Sequence, residues 1–332
     1  MRVLYVYRNS GFSIERSFKP IENILKRLIE IDSIHLPRKR AFPHDHLLDL
    51  LYLSYKLCIH KYDILQLTGG CPHAVFVKPL CKLLGIKIVS TVHDLGFYDP
   101  QSNALKNRWR YFIGIYSLRY SDFLVVISEA TKKEVLTYLK FDERRLTIIP
   151  DPVDPSFTYT HHTFNKDCPV VLHIGTHWRK NIEGTAKALE RKKYLLRIIG
   201  ELSNEQLNCL KDCKTDYSQV SNLTNQEVLE EYKNCDVVSF PSFYEGFGMP
   251  IIEAQATGRP VLTSDIAPMN EVAGTGSVLV DPYSIESIVD GYEYIFTHYD
   301  EVVAAGLKNA KRFNSKVIAD SYLSLYNSLI SL

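Results

Sequence analysis

The 332-residue chain reads as an α/β protein made of two doubly wound, Rossmann-like halves. Three observations predict this. Short, near-continuous Val/Ile/Leu runs recur along the chain, as in parallel strands covered on both faces. Amphipathic segments of helical period separate them, for example "ATKKEVLTYLK" (130–140) and "NQEVLEEYKN" (225–234), which sets a β-α-β rhythm. The polar, Pro-rich stretch "PDPVDPSFTYTHHTFNKDCP" (150–169) has no period and marks an interdomain linker. A chain of this length suits two domains better than one core.

In the first half, strands are expected at "VLYVY" (3–7), "DILQL" (63–67), "IKIVSTV" (86–92), "FLVVIS" (123–128) and "LTIIP" (146–150). In the second half they are expected at "VVLHIG" (170–175), "LLRIIG" (195–200), "CDVVSFP" (235–241), "PVLTS" (260–264) and "SVLV" (277–280). The last segment, 307–332, spaces Phe313, Val317, Tyr322, Leu325, Tyr326 and Leu329 as a helix face.

Composition narrows the function classes. Hydrophobic residues make up 45% and charged residues 23%, ordinary values for a soluble globular protein. The net charge of +1 hides an asymmetry. Residues 1–157 hold 23 Lys and Arg against 16 Asp and Glu, and the remainder holds 16 against 22. A basic half suits anionic partners such as lipid head groups or phosphorylated substrates. Nucleic acid is not expected as a partner, because no basic groove motif is present. Seven cysteines occur without a C-x-x-C pair, which reads as reduced thiols in a cytoplasmic protein. The chain opens on strand-like "RVLYVY", so no secretory leader is expected. No apolar run approaches the roughly 18 residues of a membrane span.

The stretch "SFYEGFGMPIIEA" (242–254) carries the chemistry. It follows a predicted strand, and a helix is expected from Met249–Pro250, where a proline costs no hydrogen bond, to Gly258. Gly246 and Gly248 let the backbone approach a ligand, and the free N–H groups at the helix start suit a diphosphate. Glu245 and Glu253 do not suit phosphate. Carboxylates only accept hydrogen bonds, and pairs of hydroxyls satisfy them best. A nucleotide sugar has both features: a diphosphate, with ribose hydroxyls on one side and hexose hydroxyls on the other. Arg179 and Lys180 follow the strand "VVLHIG" and open a helix, in the right loop to neutralise phosphate. No Asp-x-Asp pair stands out, so no metal or other cofactor is expected.

The Glu-x7-Glu pattern within "EGFGMPIIEAQATGRPVLTS" resembles the signature of retaining glycosyltransferase family 4. Further blocks resemble that family in the same order: "STVHDL" (90–95), "VISEATKKEV" (126–135), "IIPDPVD" (148–154), "HIGTHWRKN" (173–181) and "APMNEVAGTGSVLVDP" (267–282). The resemblance covers residues 85–330 well and 1–84 loosely. It implies a GT-B fold: an acceptor-side domain (1–157) and a nucleotide-sugar domain (158–310) facing each other across a cleft, with a C-terminal helix (311–332) that crosses back onto the first.

The resemblance also implies roles. Glu253 would bind the ribose hydroxyls. Glu245 would hold the donor sugar and its developing positive charge. The backbone at Phe247, Gly248 and Met249 would meet the diphosphate or sugar. His93 would face the donor near the sugar's 6-position, and Val220–Leu223 would lie at the nucleobase. Transfer would retain anomeric configuration, from a UDP- or GDP-sugar to a glycan or lipid-linked glycan in bacterial surface-polysaccharide assembly. Some features depart from the family. Where relatives carry Gly-Gly in the first loop, "RNSGFSIERS" (8–17) offers only Gly11 for donor contact. Thr176 stands where some relatives place an Arg, so Arg179 must supply that cation. Pro152 replaces a Gly and stiffens the linker. Residues 35–46 and 105–120 join cations to aromatics and are expected to touch the inner face of a membrane. Two alternatives remain: a catalytically silent GT-B binding subunit, and a dinucleotide oxidoreductase, which would need the G-x-G-x-x-G that "YRNSGFSIE" lacks.

Overall fold

The computed structural model describes residues 1–8, 12–36, 43–68, 73–95, 111–190 and 193–331. These form two units, Met1–Pro152 with Ser315–Leu332, and Val153–Asn314.

The first unit is built on a six-stranded sheet of order β2-β1-β3-β4-β5-β6. Its strands are β1 (Arg2–Arg8), β2 (Glu30–Leu36), β3 (Ile64–Thr68), β4 (Lys87–Val92), β5 (Phe123–Val126) and β6 (Leu146–Ile148). Every pairing is parallel. Side chains alternate across the pleat. Leu4 and Val6 therefore pack under the helices Pro43–Ile59 and His73–Leu84. Val3, Tyr5 and Tyr7 pack under the helices Phe12–Leu25 and Ser315–Ile330.

The C-terminal helix belongs to this first unit through buried polar bonds as well as apolar contact. Tyr326 donates its hydroxyl to Gln66 Oε1 at 2.9 Å and also lies 2.9 Å from the Tyr5 hydroxyl. Tyr322 and Thr91 share a 3.0 Å bond. In the low dielectric of a core such bonds are strong, and each group would be costly to leave unpaired.

The second unit repeats the plan with the order β12-β11-β10-β7-β8-β9. Its strands are β7 (Val170–Ile174), β8 (Leu195–Ile199), β9 (Tyr217–Val220), β10 (Val237–Phe240), β11 (Val261–Ser264) and β12 (Val278–Val280), again all parallel. The strand order reverses between β7 and β10, so the carboxyl ends of those two strands flank the crevice where ligands enter such sheets.

Residues 150–169 carry no helix or strand up to Pro169. The contact division falls at Pro152–Val153, ahead of residue 157, because the linker already packs on the second unit. Val153 donates its N–H to Phe313 O at 2.8 Å, and the ring of Phe157 meets that of Tyr232 edge-on at 5.3 Å.

Two strands carry no continuous apolar run, β2 ("EIDSIHL") and β9 ("YSQV"). Both are edge strands with a partly exposed face, so their polar residues need no burial.

Candidate functional site

The crevice of the second unit is lined by the loop after β7 and the loop after β10. Gly175 directly follows β7 and has φ +88°. That conformation favours glycine, and so does the space: a Cβ there would lie 3.1 Å from Lys180 Cε. The Lys180 stem folds back over Gly175. Its ammonium donates to Glu245 Oε1 at 2.6 Å and sits 4.5 Å from the centre of the Phe240 ring. Both ends of the ion pair are largely buried, Glu245 at 9% exposure. Burial pushes the Lys180 pKa down, Glu245 pulls it back up, neighbouring Arg179 pushes it further down, and the balance is downward.

Arg179 has a buried Nε with no hydrogen-bond partner. A guanidinium in that state is suited to an anion. The two loops are tied where these residues sit, since Phe243 donates its N–H to Arg179 O at 2.8 Å.

Asn181 anchors the whole edge. It lies in the left-handed region (φ 59°) and caps the helix Ile182–Ala188, its Oδ1 accepting from Gly184 N–H. Its Nδ2 donates to Pro241 O at 3.1 Å and to Pro282 O at 2.8 Å. One buried side chain thus gathers the loops after β7, β10 and β12.

Gly248 (φ +111°) begins the helix Met249–Thr257 with no side-chain cap, and Pro250 stands in its first turn. A Cβ at Gly248 would meet the tip of Ile251, Cδ1, at 2.9 Å, and that tip would have to move, but the positive φ alone already favours glycine. The helix start presents backbone N–H groups and a partial positive charge beside Arg179 and Lys180 in the same pair of loops. Glu253 is buried on this helix, and Tyr232 donates its hydroxyl to Glu253 Oε2 at 2.7 Å. Val220 ends the edge strand β9, and Leu223 lies one residue before Thr224, the cap of the helix Asn225–Asn234.

The structure therefore brings Arg179, Lys180, Glu245, Gly246, Phe247, Gly248 and Met249 together at the switch point. Gly11 lies outside the described residues, as do 37–42 and 105–110 of the two expected membrane segments.

His93 belongs to the first unit, just past β4. Its Nδ1 pairs with Asp151 Oδ2 at 3.1 Å, and its ring meets Phe18 edge-on at 5.8 Å. Its Nε2 is buried without a partner. Burial alone would lower the His93 pKa; the charge and hydrogen bond of Asp151, with Asp94, outweigh it and raise the value.

Family models match both units. Residues 6–157 match "Glycosyltransferase Family 4", and residues 160–313 match "Glycosyl transferases group 1". The chain belongs to glycosyltransferase family 4.

Among curated relatives of this glycosyltransferase, O-antigen chain mannosyltransferase B of Escherichia coli is 26% identical over 277 residues, 73% of this chain and 71% of the relative. Solved structures show the GT-B fold. Sucrose-phosphate synthase from Thermosynechococcus elongatus superposes with a TM-score of 0.78 at 16% identity, covering 100% of this chain and 99% of that one. An Anabaena protein in complex with UDP and glucose superposes at 0.71 with 14% identity, covering 99% and 100%.

Sequence reasoning about the glycosyltransferase missed four structural partners: Asp151 on His93, Tyr232 on Glu253, Phe240 under Lys180, and Asn181 as the hub. Only Asn181 left a signal, an Asn directly ahead of a helical stretch. Among the described residues no group of three or more His, Cys, Asp or Glu is placed to hold a metal ion. No described helix is long and apolar enough to cross a membrane.

Proposed function

We propose that the protein transfers a hexosyl group from a nucleotide sugar, UDP- or GDP-linked, to an acceptor hydroxyl with retention of anomeric configuration and without a metal. The observation that carries this reading is the buried Lys180–Glu245 pair at the switch point, 2.6 Å long, beside an uncapped helix start. The site offers cations for a leaving diphosphate and a carboxylate for sugar hydroxyls.

In this reading the bond from the anomeric carbon to the phosphate oxygen breaks as the sugar becomes oxocarbenium-like. Arg179, Lys180 and the N–H groups of Phe247, Gly248 and Met249 take up the charge gathering on the diphosphate. Glu245 holds the sugar hydroxyls and faces the positive ring. The acceptor oxygen bonds to the anomeric carbon on the face the diphosphate leaves, and its proton passes to the departing phosphate oxygen. By the family resemblance, Glu253 is assigned to the ribose, Val220 and Leu223 to the base, and Gly11 and His93 to the donor, His93 toward the sugar's 6-position. The O-antigen mannosyltransferase relative supports a glycan acceptor in surface-polysaccharide assembly. A lipid-linked acceptor, and contact with the inner face of a membrane through residues 35–46 and 105–120, belong to the same proposal.

The test is a thermal-shift and hydrolysis screen across UDP-, GDP-, ADP- and TDP-sugars with EDTA present. One base class is expected to stabilise the fold and turn over. Loss of turnover in EDTA would overturn the assignment of Arg179 and Lys180. Binding without turnover of any donor or acceptor would favour a silent binding subunit.

A further inference from the structure

We propose that an aromatic shelf on the second unit binds a sugar ring of a neutral glycan. That this glycan is the acceptor rests on the sugar-transfer reading. The loops that follow the strands of the second sheet expose three large apolar side chains, and all are aromatic: Trp178 after β7, Tyr244 after β10 and Tyr283 after β12. Trp178 is 67% exposed and Tyr283 72%, so core packing accounts for neither. Half-buried Phe243 joins them. Its ring centre is 4.8 Å from that of Tyr283 with 24° between the planes, and 6.3 Å from that of Trp178 with 26°. The rings are held by their backbones. Asn181 Nδ2 donates to Pro241 O and Pro282 O, two residues before Phe243 and one before Tyr283. Phe243 N–H donates to Arg179 O, next to Trp178. Groups fixed in this way lose little freedom when a ligand arrives.

Chemistry selects the occupant. An aromatic ring carries a negative face. The C–H groups on one side of a pyranose, polarised by its oxygens, are apolar and slightly positive, and they match that face while the hydroxyls point outward around the edge. The rim suits those hydroxyls. Within three residues of the rings, the side chains charged at neutral pH are Arg179, Lys180 and Glu245, which line the crevice, and Asp281 and Glu286, which are exposed. Neither Asp281 nor Glu286 stands in an ion pair among the described residues. Carboxylates accept from hydroxyls and repel phosphate, so the shelf favours a neutral sugar over an anionic head group. The shelf is also continuous with the crevice. Trp178 directly precedes Arg179, and Phe243 stands two residues before Glu245. A glycan lying on these rings is therefore held beside the pair assigned to the donor.

The chain has two tryptophans, Trp109 and Trp178. Trp109→Phe in the full chain leaves Trp178 as the single indole, so its fluorescence reports on the shelf. The probes are neutral hexasaccharides of glucose, mannose, galactose and N-acetylglucosamine at millimolar concentration. At least one is expected to shift the Trp178 emission to the blue and shield it from acrylamide. In calorimetry on the otherwise unaltered chain, Trp178→Ala with Tyr283→Ala is expected to weaken binding of that hexasaccharide about tenfold. Trp178→Phe, which keeps a ring face, is expected to stay within about threefold. The thermal midpoint and nucleotide-sugar hydrolysis are expected to be unchanged in both variants. Binding of no hexasaccharide, or binding that the double variant leaves intact, would overturn the proposal. So would an emission shift with UDP or GDP and none with any glycan, which would give the rings to the nucleotide. Sedimentation showing a dimer that the double variant splits would give them to a second copy and overturn it too. Hexasaccharide binding by a protein inert toward every nucleotide sugar would remove the catalytic reading and leave the shelf standing. Turnover of a nucleotide sugar without any hexasaccharide binding would do the reverse.

Discussion

Lys180 and Glu245 hold each other in a site where neither is fully solvated, and that pairing shapes what substitutions there should do. Glu245→Gln keeps a hydrogen-bonding group but loses the charge that the proposed mechanism sets against the reacting sugar. Turnover is expected to fall by about 10²–10³, with nucleotide affinity changing far less in calorimetry. An equal loss of both would place Glu245 in the wrong role. In the first unit, Asp151 holds His93 with its Nδ1 bonded and its Nε2 open. The raised His93 value means that this pair adds stability that is complete below the unfolded histidine pKa of about 6.5. That stability fades as pH rises through the higher folded value. Asp151→Asn is therefore expected to cost about 1–3 kcal/mol, and more at pH 5 than at pH 8.5 in denaturant titrations. A cost independent of pH would show that His93 is not charged in the pair. The types of the site residues were legible in the sequence because Gly, Arg, Lys and Glu at fixed offsets from a strand have few uses together. Asp151 was not legible, since 58 residues separate it from His93 and no local pattern joins them.

At the scale of elements, the crevice exists because two loops and a helix start are pinned. Asn181→Ala removes a cap and two bonds to Pro241 and Pro282 at a left-handed position. It is expected to destabilise the protein by about 2–3 kcal/mol, combining the loss of a cap with unsatisfied buried carbonyls. Nucleotide affinity should fall with it, since the loops after β7 and β10 part. Gly248→Ala puts a Cβ against Ile251 and strains φ. A stability loss of roughly 1–3 kcal/mol, with weakened nucleotide binding in thermal shift, is the expected result. Among the described residues, strand prediction missed β2 and β9. Hydrophobic runs report burial on both faces, and an edge strand has one face to spare. Helix and interior-strand periods survived because their burial is dictated by the sheet they cover.

At the scale of the molecule, chain order and folding unit differ: Ser315–Leu332 completes the unit that begins at Met1. Truncation after Asn314 strips Tyr322 and Tyr326 from a core that includes Tyr5, Gln66 and Thr91. The truncated chain is expected to lose the cooperative unfolding of its first unit in calorimetry, while Val153–Asn314 keeps a transition. An unchanged thermogram would deny the helix that role. What the sequence determined by itself is what local chemistry encodes: the β-α-β rhythm, the break near 150–169, the glycine turn that opens the helix at Met249 and the acids and bases around it. Periodicity, turn residues and short motif spacings act within a few residues, so they can be read in one dimension. Only the tertiary structure decided the partners: Lys180 on Glu245, His93 on Asp151, Glu253 on Tyr232, and the last helix on the first strand. Those bonds join residues tens to hundreds of positions apart, and which ones meet is set by strand order, a property of the folded sheet.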